Sequence, residues 1–307
     1  MKLNNTSTAL SDAQEELDTI QVPTSGELPV PMTNDYLFRA LLQENNKVLC
    51  ELIRDLLHLD ENTTVEAEIQ NPIILGESVT DKTFILDILI RLNNSALVNL
   101  EMQVINEKNW VERSLAYLCR NFDGLKTGEN YLQSSPVYQI GFLNFTLFED
   151  APEFDASYKL LNEKNHREYS DKLQIKVLDL TQIELATEED KLYKIDYWAK
   201  LFKATSWEEI NMLTENKPII NDAAKTVVKL TAEERIRMQC EAREDFLKTQ
   251  NDVHYYYNTK LAEKDAALQE KDVALQEKNV ELQEKNVELQ EKDALIAELQ
   301  RQLSEKK

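Results

Sequence analysis

The stretch Lys82–Ile105, KTFILDILIRLNNSALVNLEMQVI, constrains the chain most, because it reads as a β-hairpin with an acid on each strand. Two apolar runs flank Asn93-Asn94-Ser95, and a short Asn/Ser cluster between strand-like runs is a turn signal. In the first run Phe84, Leu86, Ile88, Ile90 and Leu92 share one face, and Ile85, Asp87, Leu89 and Arg91 the other. In the second, Ala96, Val98, Leu100, Met102 and Val104 oppose Asn99, Glu101 and Gln103. A three-residue loop pairs Leu92 with Ala96, and counting back sets Asp87 opposite Glu101. Directly opposed side chains have Cβ atoms about 4.5–5.5 Å apart. Two carboxylates so placed repel each other unless a cation lies between them, and Mg²⁺ takes such oxygens at about 2.0–2.1 Å while keeping several waters. Gln103, two residues on, presents an amide that can hold a water or a phosphate oxygen. The plainer reading of the same hairpin is a sheet edge with two solvated acids.

The remaining chain supplies helices and strands to pack against it. Thr33 or Asn34 can cap a helix from Asp35, and apolar spacing continues to His58 with a break at Asn45-Asn46. Asp35 and Arg39 stand at i, i+4, the spacing of a surface ion pair. A short strand is expected over 65–69, a helix over 109–121, and strands over 136–148 and 173–185, with an acidic loop over 149–165 between them. Helices follow over 191–202, 207–213 and 218–230, the last capped by Asn221, and Thr231-Ala-Glu-Glu234 fits a capping box opening a long helix. Tyr193, Trp198 and Leu201 are offered to a core.

Several function classes drop out. No run approaches the length of a membrane span, and the N-terminus lacks a secretory h-region, which leads to the expectation of a cytoplasmic protein. Cys50, Cys119 and Cys240 are isolated, and His58, His166 and His254 form no metal-ligand pair. A net charge of −21 argues against a DNA-coating protein, yet a metal-dependent enzyme needs only local positive potential. Any DNA binding is therefore expected to be weak and salt-sensitive.

An Asp on one strand with Glu-x-Gln on the next resembles the PD-(D/E)xK nuclease superfamily. The wider chain resembles one branch of it, the Rpn recombination-promoting nucleases or transposases, over about residues 30 to 250. The matching segments are TNDYLFRALL (33–42), DKTFILDI (81–88), NLEMQ (99–103), RSLAY (113–117), and TGENY (127–131) followed by PVYQI (136–140). Leu86 stands where the superfamily has Pro, and Gln103 where it usually has Lys. The resemblance implies an α/β fold with a mixed sheet flanked by helices, and metal-dependent hydrolysis of DNA linked to recombination or mobile elements. It implies Asp87, Glu101 and Gln103 as catalytic residues, with Asp87 and Glu101 on Mg²⁺ (Mn²⁺ as an alternative). Asp35, on the first helix, would complete the metal shell, and Arg113 and Tyr117, sharing a helix face, would position substrate. RNA is an alternative substrate, and a decayed nuclease domain kept as an oligomeric scaffold is the rival reading.

Residues 1–29 read as a disordered acidic arm, 30–259 as the nuclease-like domain, and 260–307 as a heptad-repeat coiled coil. The repeats ALQEKDV, ALQEKNV, ELQEKNV and ELQEKDA place leucine at 268, 275, 282 and 289. With leucine at d, position a holds Asp272, Asn279, Asn286 and Asp293, so the seam is weak, though it can specify a homo-oligomer. A lone charged helix is the other outcome.

Overall fold

The computed structural model describes residues 15–73, 75, 87–123 and 130–305. The chain divides into two compact units, Met1–Leu247 and Lys248–Lys307. Phe84 to Leu86, Asp81-Lys82, Gly124 and Gly128 lie outside the described residues.

The elements of the first unit, in order, are α1 (Asp35–Glu44), α2 (Asn46–Leu56), β1 (Ala67–Ile69), β2 (Ile88–Leu92), β3 (Ala96–Gln103), α3 (Trp110–Phe122), β4 (Val137–Leu143), β5 (Asp155–Lys159), β6 (Leu173–Asp179), α4 (Glu188–Leu192), α5 (Ile195–Lys203), α6 (Trp207–Thr214), α7 (Ile219–Ala232) and the start of α8 (Glu234–Glu305). The strands make one mixed six-stranded sheet in the order β1-β2-β3-β4-β6-β5. β3, β4 and β6 run parallel, and β1–β2, β2–β3 and β5–β6 are antiparallel. This is the mixed sheet flanked by helices that the sequence led us to expect.

The hairpin has the anticipated register, with Leu92 opposite Ala96 and Ile88 opposite Leu100. Asn93 and Asn94 turn the chain at φ 48° and 55°, a left-handed conformation that asparagine tolerates better than most residues. Ile88, Ile90, Val98, Leu100, Ile140 and Phe142 line one face of the sheet and bury against the helices. Phe38 of α1, Phe142 of β4 and Phe202 of α5 meet there with ring centroids 5.1–5.3 Å apart. Burying each such aromatic face is worth about 1.5–3 kcal/mol. Asn34 caps α1 by accepting from the Tyr36 and Leu37 amides, and Asn45 ends α1 and caps α2. The break expected at Asn45-Asn46 is therefore a shared cap. The opposite sheet face is covered by α3, whose Trp110 lies on Gly141 so closely that a Cβ there would sit 2.1 Å from the indole.

Several expectations need correction. The acidic segment 149–165, read as a loop, contains the edge strand β5; its sequence DASYK has one inward apolar residue, Ala156, too little for a periodic signal. From Glu15 onward the stretch read as a disordered arm makes defined contacts: Lys229 Nζ reaches Glu16 at 2.9 Å, and the Leu28 amide donates to the Thr205 carbonyl at 3.0 Å. Thr231 does not open the long helix. It is buried in the last turn of α7, its hydroxyl donating to the Val227 carbonyl, and Glu233 separates α7 from α8. Pro218, not Asn221, stands at the N-cap of α7. The expected 191–202 helix is two, α4 and α5, divided at Lys194 in a left-handed conformation. The expected 173–185 strand ends at Asp179 and gives way to a 3₁₀ turn at Ile183–Leu185.

The second unit is helical from Lys248 to Glu305. Its heptad leucines at 268, 275, 282 and 289 are 57–59% exposed. No helix of the described residues is long and apolar enough to cross a membrane.

Candidate active site

The ladder of β2 and β3 ends at Ile88 and Leu100; Asp87 immediately precedes β2, and Glu101 is the next residue of β3. Glu101 lies mid-sheet, 3% exposed, with Gly141 of β4 as its parallel neighbour. The absence of a side chain at 141 admits Trp110, which seats α3 over this face and brings Arg113 down onto the acid. Arg113 Nη2 meets Glu101 Oε1 at 2.7 Å. The other oxygen, Oε2, is buried with no hydrogen-bond partner among the described residues. Burial pushes the Glu101 carboxyl up to about 7, opposed by Arg113 and reinforced by the carboxylates of Asp87 and Asp35. Asp87 is raised as well, first by burial, with Arg39, a hydrogen bond from Asn99, and Arg113 pulling it back.

Asp35 sits in the first turn of α1, 4% exposed. Arg243, in the opening turns of α8, grips it through Nε at 2.8 Å and Nη2 at 2.6 Å. The surface Asp35–Arg39 pair suggested by their spacing does not form as such. Arg39 is 1% exposed, and its guanidinium donates to the backbone carbonyls of Asp87 and Asn71, tying α1 to the residue that opens β2. Gln103 is half-buried and turns its Nε2 to the Ile105 carbonyl at 3.2 Å. Tyr117 lies on the α3 face below Arg113, whose guanidinium carbon is 5.5 Å from its ring centre. Arg120 approaches the same ring at 5.6 Å.

Beneath the acids, Asn99 and Gln139 are wholly buried and paired, Asn99 Nδ2 donating to Gln139 Oε1 at 3.0 Å. Sequence reasoning set Asn99 on the acid face without giving it a role. Arg39, Gln139 and Arg243 were not assigned to the site at all. Arg243 carries no local signal, since it is more than 200 residues from the acid it binds.

Among the described residues no three His, Cys, Asp or Glu side chains converge as a metal cluster, and arginines hold two of the acids. The donor set nonetheless fits a divalent cation. Glu101 offers a buried oxygen without a partner, and two further carboxylates raise its affinity for positive charge.

A mixed sheet with acids where two adjacent strands meet, covered by helices on both faces, defines a PD-(D/E)xK-like α/β protein. Residues 32–260 match the family model described as PD-(D/E)XK nuclease family transposase, and the chain belongs to that family. Nucleases of this class generally use divalent metals. No curated protein and no solved structure matches the chain.

Proposed function

We propose that the chain is a cytoplasmic, Mg²⁺-dependent endodeoxyribonuclease acting in recombination or in the movement of a mobile element, with Mn²⁺ as an alternative ion. The observation that carries this reading is the buried, unpartnered Oε2 of Glu101 beside Asp87 and Asp35. A carboxylate oxygen stripped of water and hydrogen bonds is costly unless it takes a proton or a cation. Asp87 and Glu101 would hold the ion, with Asp35 completing the set. A bound divalent ion lowers the pKa of its water and stabilises charge on a scissile phosphate.

The chain's own groups divide the remaining work. Arg113, released from Glu101, offers a planar fork suited to phosphate oxygens, and the Tyr117 ring limits where that fork can go. Gln103 turns its amide from the Ile105 carbonyl to the attacking water. Arg39 keeps Asp87 in place through the backbone. With a net charge of −21, DNA contact rests on this local cluster and stays weak and salt-sensitive. We assign catalysis to residues 30–259 and oligomerisation through a coiled coil to 260–307, whose exposed leucines need a partner helix.

A second reading, a decayed nuclease kept as an oligomeric scaffold, is favoured by one observation: Gln103 already bonds the Ile105 carbonyl, and Arg113 and Arg243 already pair with Glu101 and Asp35. Plasmid cleavage by the full-length protein separates the two. Nicking with Mg²⁺ or Mn²⁺ that is abolished by EDTA and by Asp87→Ala supports the nuclease; its absence with every ion supports the scaffold. An RNA substrate in the same assay tests the alternative of ribonuclease activity.

A further inference from the structure

At the far end of β3, on the opposite sheet face from Glu101, lies a cavity of about 470 Å³. Ala96 borders it, so along the strand it stands about 17 Å from Glu101. Its floor is β4, β5 and β6, where Tyr138, Ser157, Lys159 and Lys176 share by register the sheet face of Ile140 and Phe142. His58, just past the end of α2, closes one wall.

The charge of the lining is unlike that of the chain. Acids outnumber basic residues 56 to 35 overall, yet the ionisable residues described along this cavity are His58, Lys159, Lys176 and the phenol of Tyr138, with no Asp or Glu. Lys176 is 3% exposed and is held from behind by Asp155 at 2.7 Å. Its ammonium is also 3.4 Å from His58 Nε2. The His58 ring is in turn locked, stacked on Tyr193 at 4.2 Å with Nδ1 3.4 Å from Glu189. Burial and the neighbouring ammonium push His58 below its usual range, so the neutral ring accepts from Lys176 and leaves the ammonium further donors. The acids that hold these groups, Asp155, Glu189 and, 3.4 Å from Lys159 Nζ, Glu168, stand outside the lining. The other half of the lining is apolar, from Leu56, Leu92 and Pro136 among others.

We propose that this cavity binds a small organic phosphate, its oxyanion on Lys176 and Lys159 and its body against the leucine and proline wall. A buried, pre-held ammonium facing a cavity is the arrangement that phosphate recognition by lysine requires. The volume falls in the range of about 300–1,000 Å³ typical of small-molecule sites. The proposal is independent of the nuclease reading, since it shares no residue with Asp87, Glu101 or Asp35.

The test is calorimetric titration of the full-length protein in EDTA with adenosine monophosphate, and with adenosine as the uncharged control. Binding of the monophosphate and not the nucleoside is expected. Lys159→Glu, and Ser157→Glu directly across from Lys176 in the β5–β6 ladder, both at exposed positions, are expected to weaken it about ten-fold each, the scale of a charge-assisted hydrogen bond. Asp87→Ala is expected to leave it unchanged. Equal binding of nucleoside and monophosphate, no binding of either, indifference to both wall substitutions, or loss in Asp87→Ala would each overturn the proposal.

Discussion

Asp55 and Glu101 are both buried acids facing a cation, and the protein treats them differently. Asp55 Oδ2 accepts from the Trp198 indole at 2.6 Å and from Lys217, and the Lys217 ammonium lies 5.1 Å from the centre of the Trp198 ring. No oxygen of Asp55 is left buried and unpartnered. Glu101 has one guanidinium from a half-exposed arginine and one stranded oxygen. The first arrangement closes on itself and ties α2, α5 and the lysine before α7 together. The second is open to a further positive ligand. Burial and a salt bridge are common to both acids; the buried Glu101 oxygen without a partner is what sets the two apart.

The sharpest way to break this comparison is Glu101→Gln. Plasmid nicking is expected to fall about 10⁴-fold, equivalent to about 5.5 kcal/mol, while urea denaturation shows stability unchanged or higher. A loss of stability comparable with that at Asp55 would place both acids in one class. The converse change is Lys217→Ala, which strands Asp55. Urea denaturation is expected to show a loss of about 3–5 kcal/mol, and a loss under about 1 kcal/mol would mean the cluster does not hold the helices.

Asp155 lies between the two cases, with Lys176 at 2.7 Å but Oδ1 buried and unpartnered. Burial lifts its carboxyl to about 6, against the opposing pull of Lys176. A raised folded-state value means the folded protein binds more protons than the unfolded chain between pH 3.8 and about 6. This contribution is fully present below that window and is lost as pH rises through it. Asp155→Asn removes the titration, so the stability gap between wild type and variant should narrow by up to about 3 kcal/mol from pH 3.8 to 7, read from urea titrations at each pH. A constant gap would show that Asp155 does not titrate there.

The smallest expected effect is that of Gly141→Ala. Its methyl would meet Trp110, so α3 must shift and carry Arg113 away from Glu101. A stability loss of about 1–3 kcal/mol should accompany a change in Trp110 fluorescence and reduced nicking, with the Asp55 cluster untouched. Full activity in the folded variant would show that the seat of α3 does not set the site.

What sequence alone determined here is local. Alternation over Ile88–Leu92 and Ala96–Gln103, with a turn that asparagine accepts, was enough to set the register from Leu92–Ala96 to Ile88–Leu100, because a strand pair joined by a three-residue loop has one register available. The helix break at Asn45-Asn46 was legible for the same reason: it depends on neighbours a few residues away. The edge strand β5 was not, because its pairing energy comes from β6 and its own residues carry almost no apolar pattern. The partners of the acids belong wholly to the tertiary structure. Arg243 reaches Asp35 across 208 positions, and Arg39 turned from an expected surface pair to the Asp87 carbonyl. A buried charge takes whichever counter-charge the packing brings to it, and only the folded chain decides which that is.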